Sequence, residues 1–149
     1  MLEMTNLDHV GIRISDRDRS VAFYEKLGFD LLADGGFDQG HPLVMVHPSG
    51  INFNLLGPAT AHQGRNVLMD ETSRYPGITH VAIKMKSAEE TEAFVYASGI
   101  AITGRREFRG TKTIFIRDPD RNVLELVGPG PSVSELIADH MHEANGALD

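Results

Sequence analysis

Two segments of the chain alternate apolar and polar residues with period two, and each opens on a histidine. Residues 9–14 read HVGIRI, and residues 80–85 read HVAIKM. This period is that of a β-strand with one buried face. The apolar residues share that face. The opposite face carries a histidine, then a residue with little or no side chain, then a cation: His9, Gly11 and Arg13 in the first strand, and His80, Ala82 and Lys84 in the second.

Each of these strands is followed by a predicted helix and three further predicted strands. The first helix begins at Ser15 or Asp16 and ends at Gly28, and the second begins at Ser87 and ends at Gly99, as capping residues and glycine stops indicate. The strands are predicted at 29–34, 42–47, 51–56, 100–105, 111–117 and 122–127.

The two halves of the chain are copies of one pattern. Sliding the sequence against itself by 71 positions gives 11 identities among the 52 aligned positions from 7 to 58, where chance gives roughly three. We therefore predict an α+β fold of two tandem βαβββ modules, at 5–58 and 77–129. A connector at 59–76 joins them, and a C-terminal helical tail follows at 130–149.

Composition restricts the function classes. The 149 residues are 41% hydrophobic, enough for a core, and the net charge of −7 argues against a basic nucleic-acid interface. No apolar run is long enough to span a membrane. With no cysteine there is neither a disulfide framework nor a thiolate ligand. A soluble, cytoplasmic protein is the expectation, with neither nucleic acid nor membrane as a partner.

A buried carboxylate adds to the two histidines. Glu125 lies in the middle of the apolar strand VLELV at 123–127, and a carboxylate is costly to bury there unless it is paired or binds a metal. At the repeat offset Glu125 aligns with Asn54, as His80 aligns with His9. Two imidazoles and one carboxylate form a common ligand set for a divalent metal that keeps open positions. The predicted ligands are His9, His80 and Glu125.

A single strand histidine is more often structural than a ligand, so the prediction depends on the repeat. The other histidines lie in turns, in the connector or on the tail helix, and we interpret them as structural or surface residues: His41, His47, His62, His140 and His142.

The chain resembles the vicinal oxygen chelate superfamily in three segments, LDHVGIRISDRDRSVAFYEKLGF at 7–29, GITHVAIKM at 77–85 and DPDRNVLEL at 118–126. The resemblance implies paired βαβββ modules with mixed sheets curved around a cleft. It also implies a divalent metal such as Zn, Ni, Mn or Fe, with ligand positions at His9, Asn54, His80 and Glu125. A homodimer that shares its sites between subunits is expected.

The resemblance covers several activities. We favour a glyoxalase-like lyase or isomerase that binds a small oxygen-bearing substrate at the metal and stabilises an oxyanion or enolate, with Glu125 as the catalytic carboxylate. Asn54, Arg13 and Lys84 are candidate substrate-binding residues. Asn54 stands where glyoxalase-type isomerases have a Glu base.

Two alternatives stay open. An Fe(II)-dependent extradiol-type dioxygenase would have a His and a Tyr before the DP turn, whereas this chain has no histidine there and Phe115 at the Tyr position. A non-catalytic, drug-sequestering resistance protein of the same fold would lack the metal ligands and line its cleft with aromatic residues, and aromatic residues here are only 7%.

Overall fold

The computed structural model describes residues 1–61 and 64–146, with the backbone alone for residues 140 and 142–146. The side chains of His62, His140 and His142, predicted as surface or structural, lie outside the described residues. The chain divides into two compact units, one of Met1–Thr79 with Asp118–Asn122, the other of His80–Arg117 with Val123–Asp149. Within the described part, no helix is long and apolar enough to cross a membrane.

The first unit is a four-stranded mixed sheet with one helix. The strand order is β1-β4-β3-β2; β1 and β4 are parallel, and the other neighbours are antiparallel. The elements are β1 Val10–Arg13, α1 Arg17–Lys26, β2 Asp30–Asp34, a 3₁₀ turn Phe37–Gln39, β3 Leu43–Val46 and β4 Asn52–Leu56.

The second unit repeats this topology and adds the C-terminal helix. Its order is β5-β8-β7-β6, with β5 and β8 parallel and the other neighbours antiparallel. The elements are β5 His80–Lys84, α2 Ala88–Ala97, β6 Ile102–Phe108, β7 Thr111–Arg117, β8 Val123–Val127 and α3 Val133–Gly146. The predicted α+β class, with two four-stranded mixed sheets and a C-terminal helix, is confirmed.

Strand register reproduces the sequence repeat. In the first sheet Gly11 lies opposite Asn54, and in the second Ala82 lies opposite Glu125. Both members of the second pair lie 71 positions after those of the first. The alignment of Asn54 with Glu125, made from sequence alone, therefore holds in three dimensions.

The predicted caps define the helices. The Asp16 side chain accepts from Arg19 N at the start of α1 at 2.8 Å, and Ser87 Oγ accepts from Glu90 N at the start of α2 at 3.1 Å. Such contacts satisfy backbone N–H groups that have no partner inside the helix. Helix α3 begins after a reciprocal pair, since Ser132 N donates to a Glu135 carboxylate oxygen at 2.6 Å and Glu135 N to Ser132 Oγ at 3.3 Å.

Apolar residues of the strands and of the helices α1 and α2 form the two cores. The largest fully buried side chains are Tyr24, Phe53, Ile14, Leu43, Met45 and Leu55 in the first unit, and Ile116, Leu124 and Val95 in the second. The faces opposite these cores carry His9 and Arg13 in the first sheet and His80, Lys84 and Glu125 in the second, which confirms the predicted division of the strands.

The turn Asp118–Asn122 belongs to the first compact unit, although it falls within the second predicted module. Tyr24 OH, from α1, donates to Asp118 Oδ2 at 2.9 Å, and Ser15 N donates to Asp120 Oδ2 at 2.9 Å. Burial of the Asp118 carboxyl raises its pKa above the ordinary value of 3.8. The module boundaries drawn from the repeat stay a prediction.

The predicted bounds of one strand are wrong. Strand β6 was expected at 100–105 and occupies Ile102–Phe108, with a register shift between Ile102 and Gly104. Arg109 and Gly110 both have positive φ, 50° and 79°, as in the tight turns that join paired strands. This hairpin extends the pairing with β7 beyond residue 105.

Candidate functional site

A cavity of about 420 Å³ lies on the sheet face of the second unit that is opposite its core. Strands β5, β8, β7 and β6 form its floor, and the beginning of α3 forms one wall. Leu136 of α3 lines this wall and is only 6% exposed. The predicted residues His80, Lys84 and Glu125 all line the cavity.

Glu125 is the central polar group of this floor. It lies in the middle of β8 and is 6% exposed. Its Oε2 is 3.0 Å from His80 Nε2 on the parallel neighbour β5. Its Oε1 is 3.1 Å from Nη2 of Arg106 on β6. A buried carboxylate is destabilising unless it has partners of this kind, so the two contacts account for its position.

Lys84 lies at the end of β5, on the same face as His80. Its Nζ donates to the carbonyl oxygen of Pro131 at 3.0 Å. Pro131 precedes α3, so the ammonium group holds the chain that leads into the cavity wall. Lys84 thus has a structural contact in addition to its place in the cavity lining.

Arg106 was missed by sequence reasoning. The predicted strand ended at residue 105, which left Arg106 in a turn with no assigned face. The alternation of β6 across Ile102–Phe108 would have placed it on the face opposite Arg105. The structure agrees with this alternation, because Arg105 pairs with Glu92 of α2 on the other side of the sheet.

Asn54 occupies the position in the first unit that Glu125 occupies in the second. It lies opposite Gly11 on one side and Val44 on the other. Among the described residues, the buried Oδ1 atoms of Asn54 and of Asn52 have no hydrogen-bond partner. A buried amide oxygen without a partner costs stability, so this face of the first sheet has acceptors to offer to a ligand.

The remaining predicted residues of the first unit are more exposed. The His9 side chain is 46% exposed, with Nδ1 2.7 Å from Asp8 Oδ2. Arg13 ends β1, and its carbonyl oxygen accepts from Asn122 Nδ2 at 3.1 Å. Among the side chains that the structure describes, no three from His, Cys, Asp or Glu are grouped so as to hold a metal ion. The pair His80 and Glu125 supplies two side chains that can coordinate a metal ion.

His47, predicted to be a structural or surface residue, contacts two neighbours in the first unit. Its ring lies 5.2 Å from that of Phe29, and its Nδ1 is 2.7 Å from Ser49 Oγ.

Comparison with known families decides the broad identity. Residues 6–126 match the model of the Glyoxalase/Bleomycin resistance protein/Dioxygenase superfamily. The chain belongs to this superfamily. The family resemblance expected from the strand histidines and the DP turn is therefore confirmed. No curated protein matches significantly.

Several solved structures share this fold. A glyoxalase family protein from Enterococcus faecalis is 26% identical, with a TM-score of 0.68 over 82% of this chain and 96% of its own. Lactoylglutathione lyase from Agrobacterium tumefaciens is 16% identical, with a TM-score of 0.62 over 84% of this chain and 94% of its own. An antibiotic binding protein from Streptomyces is 20% identical, with a TM-score of 0.65 over 87% of this chain and 100% of its own.

Proposed function

We propose that this member of the superfamily is a divalent-metal-dependent lyase or isomerase of the glyoxalase type, acting on a small oxygen-bearing substrate. The observation that carries the proposal is the His80–Glu125 pair. An imidazole nitrogen and a buried carboxylate oxygen lie 3.0 Å apart in the floor of a cavity of about 420 Å³. Small-molecule sites are commonly clefts of this kind, with a few converging polar groups.

The distance between His80 Nε2 and Glu125 Oε2 fits two ligand atoms of one metal ion. Zn²⁺ binds His nitrogen and carboxylate oxygen at about 2.0–2.2 Å. Two such ligand atoms at 90–110° around one ion are about 2.8–3.6 Å apart by simple geometry. The observed separation of 3.0 Å lies within this range. Arg106 contacts the other carboxylate oxygen, Oε1, so it leaves Oε2 for coordination.

Further ligands are proposed from the repeat and the resemblance. His9 stands 71 positions before His80, and we assign it as the third ligand, supplied by this chain or by the partner of a homodimer. Asn54 is proposed as a substrate contact or a fourth ligand, since its Oδ1 has no partner among the described residues. Zn, Ni, Mn and Fe ions all suit such a mixed N/O set.

The chemistry follows from the floor of the cavity. A divalent ion held there would act as a Lewis acid toward a substrate carbonyl or hydroxyl oxygen and stabilise negative charge that develops on it. His80 and Glu125 would hold the ion, and Glu125 is the proposed catalytic carboxylate. Arg106 fixes the orientation of Glu125 through Oε1. Arg13 and Lys84 are proposed to bind the substrate, and a cytoplasmic location is proposed with this function.

The direct test is activity with the substrate class of the lyase neighbour. Turnover of lactoylglutathione would be followed with metal-free protein and after addition of Zn²⁺, Ni²⁺, Mn²⁺ or Fe²⁺. We expect metal-dependent turnover that His80→Ala abolishes and His47→Ala retains, since the described lining of the cavity does not include His47. Turnover in the chelated protein and in His80→Ala that equals the turnover of the metal-loaded wild type would contradict the proposal.

Sequestration of a hydrophobic drug is the second candidate, supported by the apolar wall of the same cavity. Phe108, Val127 and Leu136 line it beside the polar floor. Calorimetry with hydrophobic antibiotics, with and without a chelator, separates the two candidates. Binding that a chelator does not change, in a protein without turnover, would favour sequestration.

Dioxygenation has less support. At the position where the resemblance expects a Tyr, Phe115 pairs with Glu125 across the β7–β8 ladder. This ring has no hydroxyl to act on an oxygen intermediate, so we do not propose this reaction.

A further inference from the structure

We infer that the cavity of the second unit selects a small amphipathic carboxylate, with Arg106 binding its carboxylate group and Phe108 contacting its apolar part. This inference rests on the proposed function in taking the cavity as the substrate site, and it names the class of substrate.

Strand register places two cations at the ends of one row across the cavity floor. Lys84 pairs with Val127, Val127 with Thr113, and Thr113 with Arg106. Paired residues point to the same face of a sheet, and neighbouring strands are about 4.8 Å apart. The backbone positions of Lys84 and Arg106 are therefore about 14 Å apart, which leaves room for a small molecule between two long side chains.

The charge of this floor has a sign opposite to that of the chain. Lys84 and Arg106 line the cavity together with one carboxylate among its described lining residues, Glu125. Glu135 lies outside this lining but near enough to Lys84 for that charge to lower the pKa of its carboxyl. The whole chain, by contrast, has a net charge of −7. A local excess of positive charge in an acidic protein attracts an anion and repels a cation.

The guanidinium of Arg106 has donors to spare. Its contact with Glu125 goes through one nitrogen, Nη2, whereas a guanidinium has five N–H hydrogens in a planar fork. The Arg106 side chain is 55% exposed, against 7% for Glu125. One edge of the fork can thus hold Glu125 while another binds a carboxylate, the planar anion that this geometry matches best.

An apolar surface adjoins this anion site. Phe108 lies two residues after Arg106 on the same strand, so both side chains are on the cavity face, about 6.6 Å apart along the strand. Val127 and Leu136 extend the apolar surface toward α3. A ligand with a carboxylate at one end and a hydrocarbon or aromatic group at the other matches both parts.

Three probes test the inference by NMR titration: phenylacetate has both parts, phenylacetamide lacks the charge, and acetate lacks the ring. We expect phenylacetate to bind at least about tenfold more tightly than phenylacetamide, the usual scale of a charge-assisted hydrogen bond. It should also bind at least about tenfold more tightly than acetate, because the ring removes apolar surface from water. Arg106→Gln should reduce phenylacetate to the level of phenylacetamide. Phe108→Ala should reduce it toward acetate.

Arg105→Gln is the matched control. It removes the same charge from the neighbouring position of β6, but Arg105 pairs with Glu92 and does not line the cavity. This variant should keep the wild-type preference for phenylacetate. Equal binding of phenylacetate and phenylacetamide by the wild type, or an unchanged preference in Arg106→Gln, would overturn the inference.

Glu125→Gln gives a second test that does not remove Arg106. In metal-free protein this change removes both a competitor for the guanidinium and a negative charge from the floor, so phenylacetate should bind more tightly than to wild type. Unchanged or weaker binding overturns the inference.

Metal content measured on the same samples separates this inference from the proposed function. Selective carboxylate binding without metal uptake supports the inference and contradicts the metal enzyme. Metal uptake without any preference for the carboxylate supports the metal enzyme and contradicts the inference.

Discussion

His80 Nε2 lies 3.0 Å from Glu125 Oε2, across two parallel strands that the sequence separates by a helix and two further strands. The contact exists because β5 pairs with β8 rather than with β6 or β7, which follow it more closely in sequence. The same crossover pairs β4 with β1 in the first unit and brings Asn54 opposite Gly11. Duplication of one topology therefore places Asn54 and Glu125 at equivalent positions. Their chemistry differs because Glu125 is an acid and Asn54 an amide.

Tyr24→Phe should destabilise the protein by about 1–3 kcal/mol, because Asp118 would lose a buried hydrogen bond to a charged acceptor. Tyr24 is fully buried in the first unit, so water cannot replace its hydroxyl without rearrangement. Urea denaturation measures the change. Tyr96→Phe is the control, since Tyr96 is 85% exposed and its loss should change the free energy of unfolding by less than about 0.5 kcal/mol. Equal effects of the two changes would contradict the role of the Tyr24–Asp118 bond.

Asp118 should titrate above 3.8, because desolvation raises the pKa of its carboxyl in the folded protein. The folded state therefore binds its proton more tightly than the unfolded state does. The stabilisation from this group is fully present below pH 3.8 and is lost as the pH rises through the folded pKa. Carbon-detected NMR of the side-chain carboxyl measures the midpoint. Tyr24→Phe should raise it further, because the tyrosine hydroxyl lowers the pKa through its hydrogen bond. A wild-type midpoint at or below 3.8 would show that hydrogen bonding outweighs burial.

Leu136→Ala should destabilise the second unit by about 2–5 kcal/mol or release α3 from the sheet, because this side chain is buried against the cavity wall. Ile137→Ala changes the next residue of the same helix, which is 50% exposed, and should have little effect. Urea denaturation and amide hydrogen exchange along residues 133–139 measure the two variants. Similar protection of the α3 amides from exchange in the two variants would mean that α3 does not depend on Leu136 for its position.

Much of the fold was predictable from local pattern. Alternation in HVGIRI and HVAIKM identified β1 and β5, and the Ser87–Glu90 pair identified the start of α2. The repeat offset made Asn54 and Glu125 equivalent, which the register of both sheets confirms. These features are encoded by residues close in sequence or by the duplication itself.

Features that depend on contacts between distant segments of the chain could not be predicted from local pattern. The end of β6 is determined by its hairpin with β7, so the predicted limit at 105 left Arg106 without a face. Its contact with Glu125 depends on two successive strand registers that no local pattern specifies. The placement of Asp118–Asn122 in the first unit depends likewise on a side-chain bond to Tyr24, far away in sequence.

The central claim, that His80 and Glu125 hold a divalent ion, is tested most directly by metal content. Protein loaded with Zn²⁺, Ni²⁺, Mn²⁺ or Fe²⁺ and then dialysed would be analysed by mass spectrometry of the metal, together with His80→Ala, Glu125→Gln and the control His47→Ala. We predict that the wild type and His47→Ala retain about one ion per chain, and that the other two variants bind it at least about tenfold more weakly. Retention of no ion by the wild type, or of as much by His80→Ala and Glu125→Gln as by the wild type, would contradict the account.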